Sequence, residues 1–171
     1  INKHLGTLIS KKDKLFFQNI IKNIYDEIAP NNNIIVLRDY HVDNLFFLKE
    51  RKLENQVGVI DFQDALVGSC AYDLISLLED VRNPITNDLK NQLKNYFITL
   101  TNCNASQLEN EISFFSVQRN LKILGIFSRL KYRDNKDNYM KYNDDAWKFI
   151  KNHIDKPIFK DLKIWLKTNV N

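Results

Sequence analysis

The sequence predicts a mainly α-helical fold with one small β-hairpin near its front. Apolar residues recur at helical spacing before and after a short central stretch. Inside that stretch, two apolar segments flank a charged segment that has the length of a hairpin loop. The chain of 171 residues suits one domain with a substantial core and is too short for two ordinary domains.

The first predicted elements are a helix over residues 13–28 and a short buried strand at residues 34–36. Pro30 prevents continuation of the helix, and three asparagines form a polar turn before the strand. The apolar face of the helix consists of Phe16, Ile20, Ile24 and Ile28. Residues 45–48 and 57–60 are predicted as the two strands of the hairpin, joined by the loop 49–56.

Everything after Gly68 is predicted to be helical. Two amphipathic helices have the apolar faces Ala71, Leu74, Ile75 and Leu78, and Leu89, Leu93, Phe97 and Leu100. Ser106 and Glu109 form a predicted capping box before a long helix over residues 107–132. Two more helices are predicted near residues 144–153 and from Pro157 onward. Five aromatic residues are predicted to belong to the core: Phe46, Phe47, Phe114, Phe115 and Phe127.

The composition argues against several classes of protein. No apolar run approaches the roughly 18 residues of a membrane span, so no membrane partner is predicted. Cys70 and Cys103 lie far apart with no CxxC pattern, which is typical of reduced thiols in a cytoplasmic protein. The basic cluster at residues 129–136 is interpreted as a solvated helix end, so no nucleic-acid partner is predicted.

Three polar residues between positions 34 and 61 carry the chemical prediction. Asp39 is followed five residues later by Asn44, and Asp61 ends an apolar strand after the hairpin loop. Phosphoryl transfer from a nucleotide requires a carboxylate facing the acceptor hydroxyl, with an amide and a carboxylate that hold magnesium. The order and spacing therefore predict that Asp39 faces the acceptor and that Asn44 and Asp61 bind the metal and its nucleotide.

Each of these residues also has a purely structural interpretation. Asp39 could form a turn, and Asn44 could cap one. Asp61 is harder to explain this way, because a carboxylate at the end of an apolar strand is costly without a partner. A metal-dependent hydrolase built from Asp39, His41, Asp43 and Asp61 is a further alternative, although it leaves the Asp-to-Asn spacing unexplained.

The motif residues resemble those of a known family. Residues 37–45, Leu-Arg-Asp-Tyr-His-Val-Asp-Asn-Leu, resemble the catalytic loop of the aminoglycoside phosphotransferase family, a branch of the protein-kinase-like fold. Residues 59–65, Val-Ile-Asp-Phe-Gln-Asp-Ala, resemble its metal-binding segment. Residues 61–82 and the tail 120–134 are similar to bacterial kinases that phosphorylate N-acetylmuramate and N-acetylglucosamine at the anomeric hydroxyl. The resemblance implies ATP as phosphoryl donor, Mg²⁺, and a small-molecule acceptor.

The resemblance also assigns roles to individual residues. It implies that Asp39 is the catalytic base, that Asn44 and Asp61 are magnesium ligands, and that Asp73 supports the catalytic loop from behind. The residues that face the acceptor side are His41, Gln63 and Asp64. Arg38 is expected to pair with a nearby carboxylate as structural support. Leu37 departs from the family pattern, which usually has His there, so the loop is expected to be looser.

The resemblance further implies that residues 1–171 form the C-terminal catalytic lobe of a kinase-like fold. The only glycines are Gly6, Gly58, Gly68 and Gly125, and these isolated residues cannot form a phosphate-cradling loop. We therefore expect an upstream segment or chain to supply the N-terminal nucleotide-binding lobe. Two alternatives stay open: a catalytically incompetent fragment or interaction module, and a kinase whose acceptor is an aminoglycoside or a choline-like alcohol.

Overall fold

The computed structural model describes residues 9–170 and is mostly helical, with two small antiparallel ribbons. The six α-helices of the described chain are α1 (Lys11–Ile28), α2 (Cys70–Leu78), α3 (Asn87–Thr101), α4 (Ala105–Asp134), α5 (Asn143–His153) and α6 (Lys160–Asn169). The four strands are β1 (Ile34–Val36), β2 (Leu45–Phe47), β3 (Val57–Val59) and β4 (Leu66–Gly68). Short 3₁₀ helices lie at Val42–Asn44, Leu53–Gln56, Asn138–Tyr142 and Pro157–Phe159.

The two ribbons confirm the predicted hairpin and reveal a strand that the sequence did not indicate. β2 pairs with β3 in the register Leu45↔Val59, as expected for the hairpin. β1 pairs with β4 in the register Val36↔Leu66, and β4 was not predicted. At Gly68 the partner strand approaches closely, because an added Cβ would lie 3.1 Å from Val36 Cγ2.

The helical predictions hold with shifted ends. α1 begins after Ser10, whose side chain accepts a 3.1 Å hydrogen bond from the Asp13 amide. The predicted capping box at Ser106 and Glu109 is wrong. The long helix begins earlier, and Asn104 Oδ1 accepts a 2.9 Å hydrogen bond from the Gln107 amide. Glu109 instead pairs with Lys94 at 3.0 Å.

The chain forms two compact units, one made of residues 30–112 and the other of the remaining residues. The prediction of a single lobe over residues 1–171 stays a prediction. In the helical unit, formed by residues 9–29 and 113–170 of the described chain, the core is tightly buried. Its most buried large side chains include Val117, Ile150, Phe159 and Leu162, none more than 1% exposed. Trp165 packs on Phe17 with ring centroids 4.7 Å apart. Among the described residues, no helix is long and apolar enough to cross a membrane.

The ribbon unit, residues 30–112, buries less of its apolar surface. Its core is formed by Val36, Ala71, Leu74, Ile75, Leu78, Val81, Leu108 and Ile112. The ribbons themselves expose large apolar side chains, including Ile35 (70%), Phe47 (66%) and Val67 (66%). The core assignment of Phe46 and Phe47 is therefore wrong, whereas Phe114, Phe115 and Phe127 are buried as predicted. Helix α3 exists as predicted but buries no residue.

Candidate functional site

The loop after β1 is held by one carboxylate on helix α2. Asp73, in the first turn of that helix, accepts hydrogen bonds from the amides of Leu37 at 2.7 Å and Arg38 at 3.0 Å. Arg38 has a φ of 73°, in the left-handed region that disfavours side chains with a Cβ. Such a conformation costs about 1–3 kcal/mol. The two charge-assisted hydrogen bonds that Asp73 accepts offset that cost and define where the loop begins.

Asp39 and Asn44 are joined by a hydrogen bond across their loop. Asn44 Nδ2 donates to the Asp39 carbonyl oxygen at 2.9 Å, and the same oxygen accepts from the His41 amide at 3.1 Å. The Asn44 amide N–H donates to the His41 carbonyl at 2.9 Å. Because the Asn44 side chain is bonded through its nitrogen, its amide oxygen stays available as a ligand. The Asp39 side chain is exposed.

Asp61 follows directly after the β2–β3 ribbon. The Ile60 amide donates to the Asn44 carbonyl at 3.1 Å, which extends the ribbon pairing by one step beyond Leu45 and Val59. Asp61 therefore comes one residue after Ile60, whose amide bonds to Asn44. It has a φ of 61°, a second left-handed residue that is not glycine. Gln63 Nε2 donates to Asp61 Oδ1 at 2.6 Å, which leaves the second carboxylate oxygen available.

Arg38 joins the loop to the segment that follows Asp61. Its Nη1 lies 3.4 Å from the Asp64 carbonyl oxygen and 4.0 Å from Asp64 Oδ2. Both contacts are long, and the Asp64 side chain is 65% exposed, so the pair contributes little to stability. Its consequence is that residues 38 and 64, far apart in sequence, lie side by side.

His41 is directed toward Asn44. Its Nε2 lies 3.3 Å from Asn44 Nδ2, and its side chain is only 14% exposed. Since the Asn44 nitrogen is a donor, this contact assigns the acceptor role to Nε2 and the proton to Nδ1. Burial lowers the pKa of His41 below its ordinary value, the Arg82 charge lowers it further, and nearby carboxylates oppose both effects. A neutral imidazole is therefore favoured here.

A charged cluster that the sequence prediction did not single out lies beside His41. Arg82 Nη1 lies 3.1 Å from Asp43 Oδ2, and Arg82 Nε lies 3.0 Å from Asp80 Oδ1. Ligand atoms of His41, Asp43 and Asp80 lie within 4.8 Å of one another. The Arg82 guanidinium contacts both carboxylates and so compensates their charge. A hydrolytic metal centre at this place would have to compete with that guanidinium.

The donor set around Asn44 and Asp61 suits a hard cation. One amide oxygen and one carboxylate oxygen stay available after the hydrogen bonds to Asp39 and Gln63 are made. Mg²⁺ prefers oxygen ligands and keeps several waters, so two protein ligands suffice. An exposed carboxylate, Asp39, belongs to the same loop. This combination can orient a hydroxyl group beside a metal-bound phosphate.

Comparisons with known proteins point to the same chemistry. The phosphotransferase enzyme family known as APH matches residues 11–103. An N-acetylmuramate/N-acetylglucosamine kinase of Caulobacter vibrioides is 32% identical over 129 residues, covering 75% of this chain and 36% of the relative. Its namesake in Neisseria meningitidis is 32% identical over 146 residues, covering 81% and 42%. A Pseudomonas putida protein of the same name is 27% identical over 148 residues, covering 82% and 42%.

These matches also define how much of the relatives the chain represents. The chain spans about two-fifths of the length of the curated relatives it matches. The family match includes every residue of the loop, the ribbons and helix α2 described above. The chain belongs to the APH family of phosphotransferase enzymes.

Proposed function

We propose that this chain is the C-terminal lobe of a kinase-like phosphotransferase that transfers the γ-phosphoryl group of ATP to a hydroxyl of a small molecule. The observation that carries the proposal is the hydrogen bond from Asn44 Nδ2 to the Asp39 carbonyl. It holds a carboxylate and an amide oxygen in one turn, beside the ribbon end that leads into Asp61. A phosphotransferase needs these two groups on one rigid support.

Asp39 orients the acceptor in this proposal. An ordinary Asp has a pKa of about 3.9, far too low to remove the proton of a free hydroxyl group. In a loose transition state, little proton removal is needed before the bond between the γ-phosphorus and ADP has largely broken. Asp39 therefore accepts a hydrogen bond from the hydroxyl, aims its oxygen at phosphorus, and takes the proton late.

Asn44 and Asp61 are the proposed magnesium ligands. Asn44 would use its amide oxygen, and Asp61 the carboxylate oxygen that Gln63 does not contact. Bound magnesium would offset negative charge on the nucleotide phosphates during transfer. The ribbon pairing before Asp61 positions its backbone, and Gln63 holds the other oxygen of its carboxylate.

An amino sugar is the proposed acceptor, and the names of the relatives support it. Gln63 and Asp64 are exposed residues with polar groups that a sugar could contact. His41 is mostly buried against Asn44, so its role in acceptor binding would be indirect. Asp73 and Arg38 are proposed as structural support, through the loop contacts described above.

The nucleotide-binding lobe is proposed to come from an upstream segment or a separate chain. The exposed apolar side chains of both ribbons support this proposal, because large exposed apolar surface often marks an interface. Ile35, Phe47 and Val67 are each at least 66% exposed. A lobe packed on the ribbons would cover these side chains and complete the nucleotide site.

A coupled assay tests the proposal on the natural polypeptide that contains this chain. We expect ADP formation with N-acetylmuramate or N-acetylglucosamine. Turnover with an aminoglycoside or choline alone would overturn the amino-sugar assignment and keep phosphoryl transfer. No turnover with any of these alcohols would overturn phosphoryl transfer and favour an incompetent fragment or interaction module.

Calorimetry on residues 1–171 alone tests the proposed second lobe separately. We expect weak or absent ATP binding, because the chain would provide only part of the nucleotide site. Sub-micromolar affinity for ATP would contradict the need for another lobe.

A further inference from the structure

One arginine ties the turn before Asn44 to a segment about 40 residues later in the chain. Arg82 Nη1 lies 3.1 Å from Asp43 Oδ2, and its Nε lies 3.0 Å from Asp80 Oδ1. Asp43 is the middle residue of the 3₁₀ turn Val42–Asn44, and Asp80 follows helix α2. The guanidinium therefore bridges two segments that both belong to the ribbon unit.

The Asp80 end of this bridge is the fixed end. The Asp80 side chain is 2% exposed and also accepts hydrogen bonds from the Arg82 amide and from Asn83 Nδ2, both at 3.1 Å. Burial alone would raise the pKa of Asp80, but the hydrogen bonds from Asn83 and Arg82 outweigh it and lower the pKa. Asp80 is therefore an anion that orients the guanidinium through several bonds.

The Asp43 end is different, because its side chain is 54% exposed. Water could solvate that carboxylate without Arg82, so the ion pair adds little to the stability of the fold. Its consequence is geometric. The contact holds the middle of a turn whose last residue, Asn44, bonds to both His41 and Asp39 through its backbone and side chain.

We propose that Arg82 is a positioning residue that fixes the turn presenting Asn44 and Asp39 by holding Asp43 against the buried Asp80. This inference rests on the proposed function of Asn44 and Asp39.

Lysine cannot replace Arg82 in this role. Arg82 uses Nε and Nη2 on Asp80, at 3.0 and 3.4 Å, and Nη1 on Asp43. The planar fork of a guanidinium can serve two carboxylates at once, whereas an ammonium is a single point charge on a flexible stem. R82K therefore keeps the charge near Asp80 and loses the bridge.

Steady-state kinetics on the natural polypeptide test the positioning role. R82K and D43N should each lower kcat by about 10- to 100-fold, because small displacements of reacting groups have effects of this size. The KM for the acceptor should change little. The double variant should be no slower than the slower single variant, because both changes remove the same bridge. The proposal would be overturned if the kcat losses of the two single variants multiplied in the double variant, or if D43N left kcat unchanged.

R133K is the matched control. Arg133 pairs with Asp134 at 2.6 Å on an exposed part of α4, and its side chain is 65% exposed. The kcat of R133K should equal that of the wild type. D43N also guards against a folding failure of R82K, because Asp43 is exposed and its replacement leaves the buried Asp80 paired with Arg82.

Amide hydrogen exchange on the same polypeptide decides the inference independently of activity. D43N and R82K should accelerate exchange at the Asn44 amide, which donates within the turn. The amides of Leu37 and Arg38, held by Asp73, should keep their protection. Unchanged exchange at Asn44 in both variants would overturn the positioning role. An inactive wild type with the expected exchange pattern would contradict only the proposed function.

Discussion

The helical unit and the ribbon unit hold their conformations by different means. In the helical unit, side chains such as Val117, Phe159 and Leu162 are at most 1% exposed, and packing holds the helices. In the ribbon unit, both short ribbons expose apolar side chains, and Arg38 and Asp61 adopt left-handed backbone. A few polar side chains there make the contacts that hold the candidate site.

This difference predicts where substitutions act. Removing a packed side chain from the helical unit should change stability, because it leaves a cavity. Removing a polar group near the candidate site should change activity or local order more than global stability. The following substitutions test that division, in order of decreasing expected effect.

Asp39→Asn should produce the largest effect, on activity alone. The amide keeps the size of the carboxylate but cannot accept the hydroxyl proton, so kcat should fall by about 10²- to 10⁴-fold. Because Asp39 is exposed, the free energy of unfolding should hardly change. Coupled assays and urea unfolding of the natural polypeptide measure both quantities. Retention of most of the activity would remove Asp39 from the mechanism.

Phe159→Ala should produce the largest effect on stability. Phe159 is fully buried, so truncation should lower the free energy of unfolding by about 3–5 kcal/mol. Phe47→Ala is the matched control, because that ring is 66% exposed in this chain. Its effect on residues 1–171 should stay within about 0.5 kcal/mol. Equal losses for the two variants in urea unfolding would erase the distinction between the units.

Asp73→Asn should have an intermediate effect. The carboxylate accepts from two amides, Leu37 and Arg38, whereas an Asn side chain offers one acceptor oxygen and turns an NH₂ group toward the other amide. We expect a loss of about 1.5–3 kcal/mol, together with faster exchange of those amides. Asp88→Asn, in the first turn of α3, controls for the helix dipole alone and should cost less. Equal losses would mean that the loop contacts contribute nothing.

The pH dependence of Asp80 should give the smallest effect. Its pKa is lowered in the folded state, so the folded protein binds fewer protons than the unfolded chain. The resulting stability is present above the unfolded pKa of about 3.9 and is lost as the pH falls through the folded pKa. Asp80→Asn should therefore show a weaker fall of unfolding free energy below about pH 4. Parallel curves for the two proteins would contradict this assignment.

The sequence was most informative where a period repeats over several turns. The predicted face of α1 contains Phe16, Ile20, Ile24 and Ile28. The three isoleucines are buried, whereas Phe16 is 55% exposed. Strand β4 was not predicted although it is as long as β1, β2 and β3, which were; its pairing with β1 depends on a contact between residues about 30 positions apart. The exposure of Phe47 could not be read from the sequence, since an apolar residue does not indicate whether a neighbouring segment covers it.

In the candidate site, too, the sequence could predict some features and not others. The spacing singled out Asp39, Asn44 and Asp61, and their roles stay predictions. Spacing could not indicate the bridge from Asp43 through Arg82 to Asp80, because it depends on where helix α2 ends in space. Their proximity becomes visible only in the three-dimensional structure.

The most direct test of the account is the binding of Mn²⁺ in place of Mg²⁺ to the natural polypeptide in the presence of ATP, measured by water-proton relaxation. Asn44→Ala removes one proposed oxygen ligand, and Asp61→Asn replaces the charged carboxylate ligand with a neutral amide. We expect each to weaken Mn²⁺ binding by about 10-fold or more, since a lost ligand or a lost ligand charge has effects of this order. Asp88→Asn should bind Mn²⁺ like the wild type. Unchanged Mn²⁺ affinity in both ligand variants would contradict a metal site at these residues.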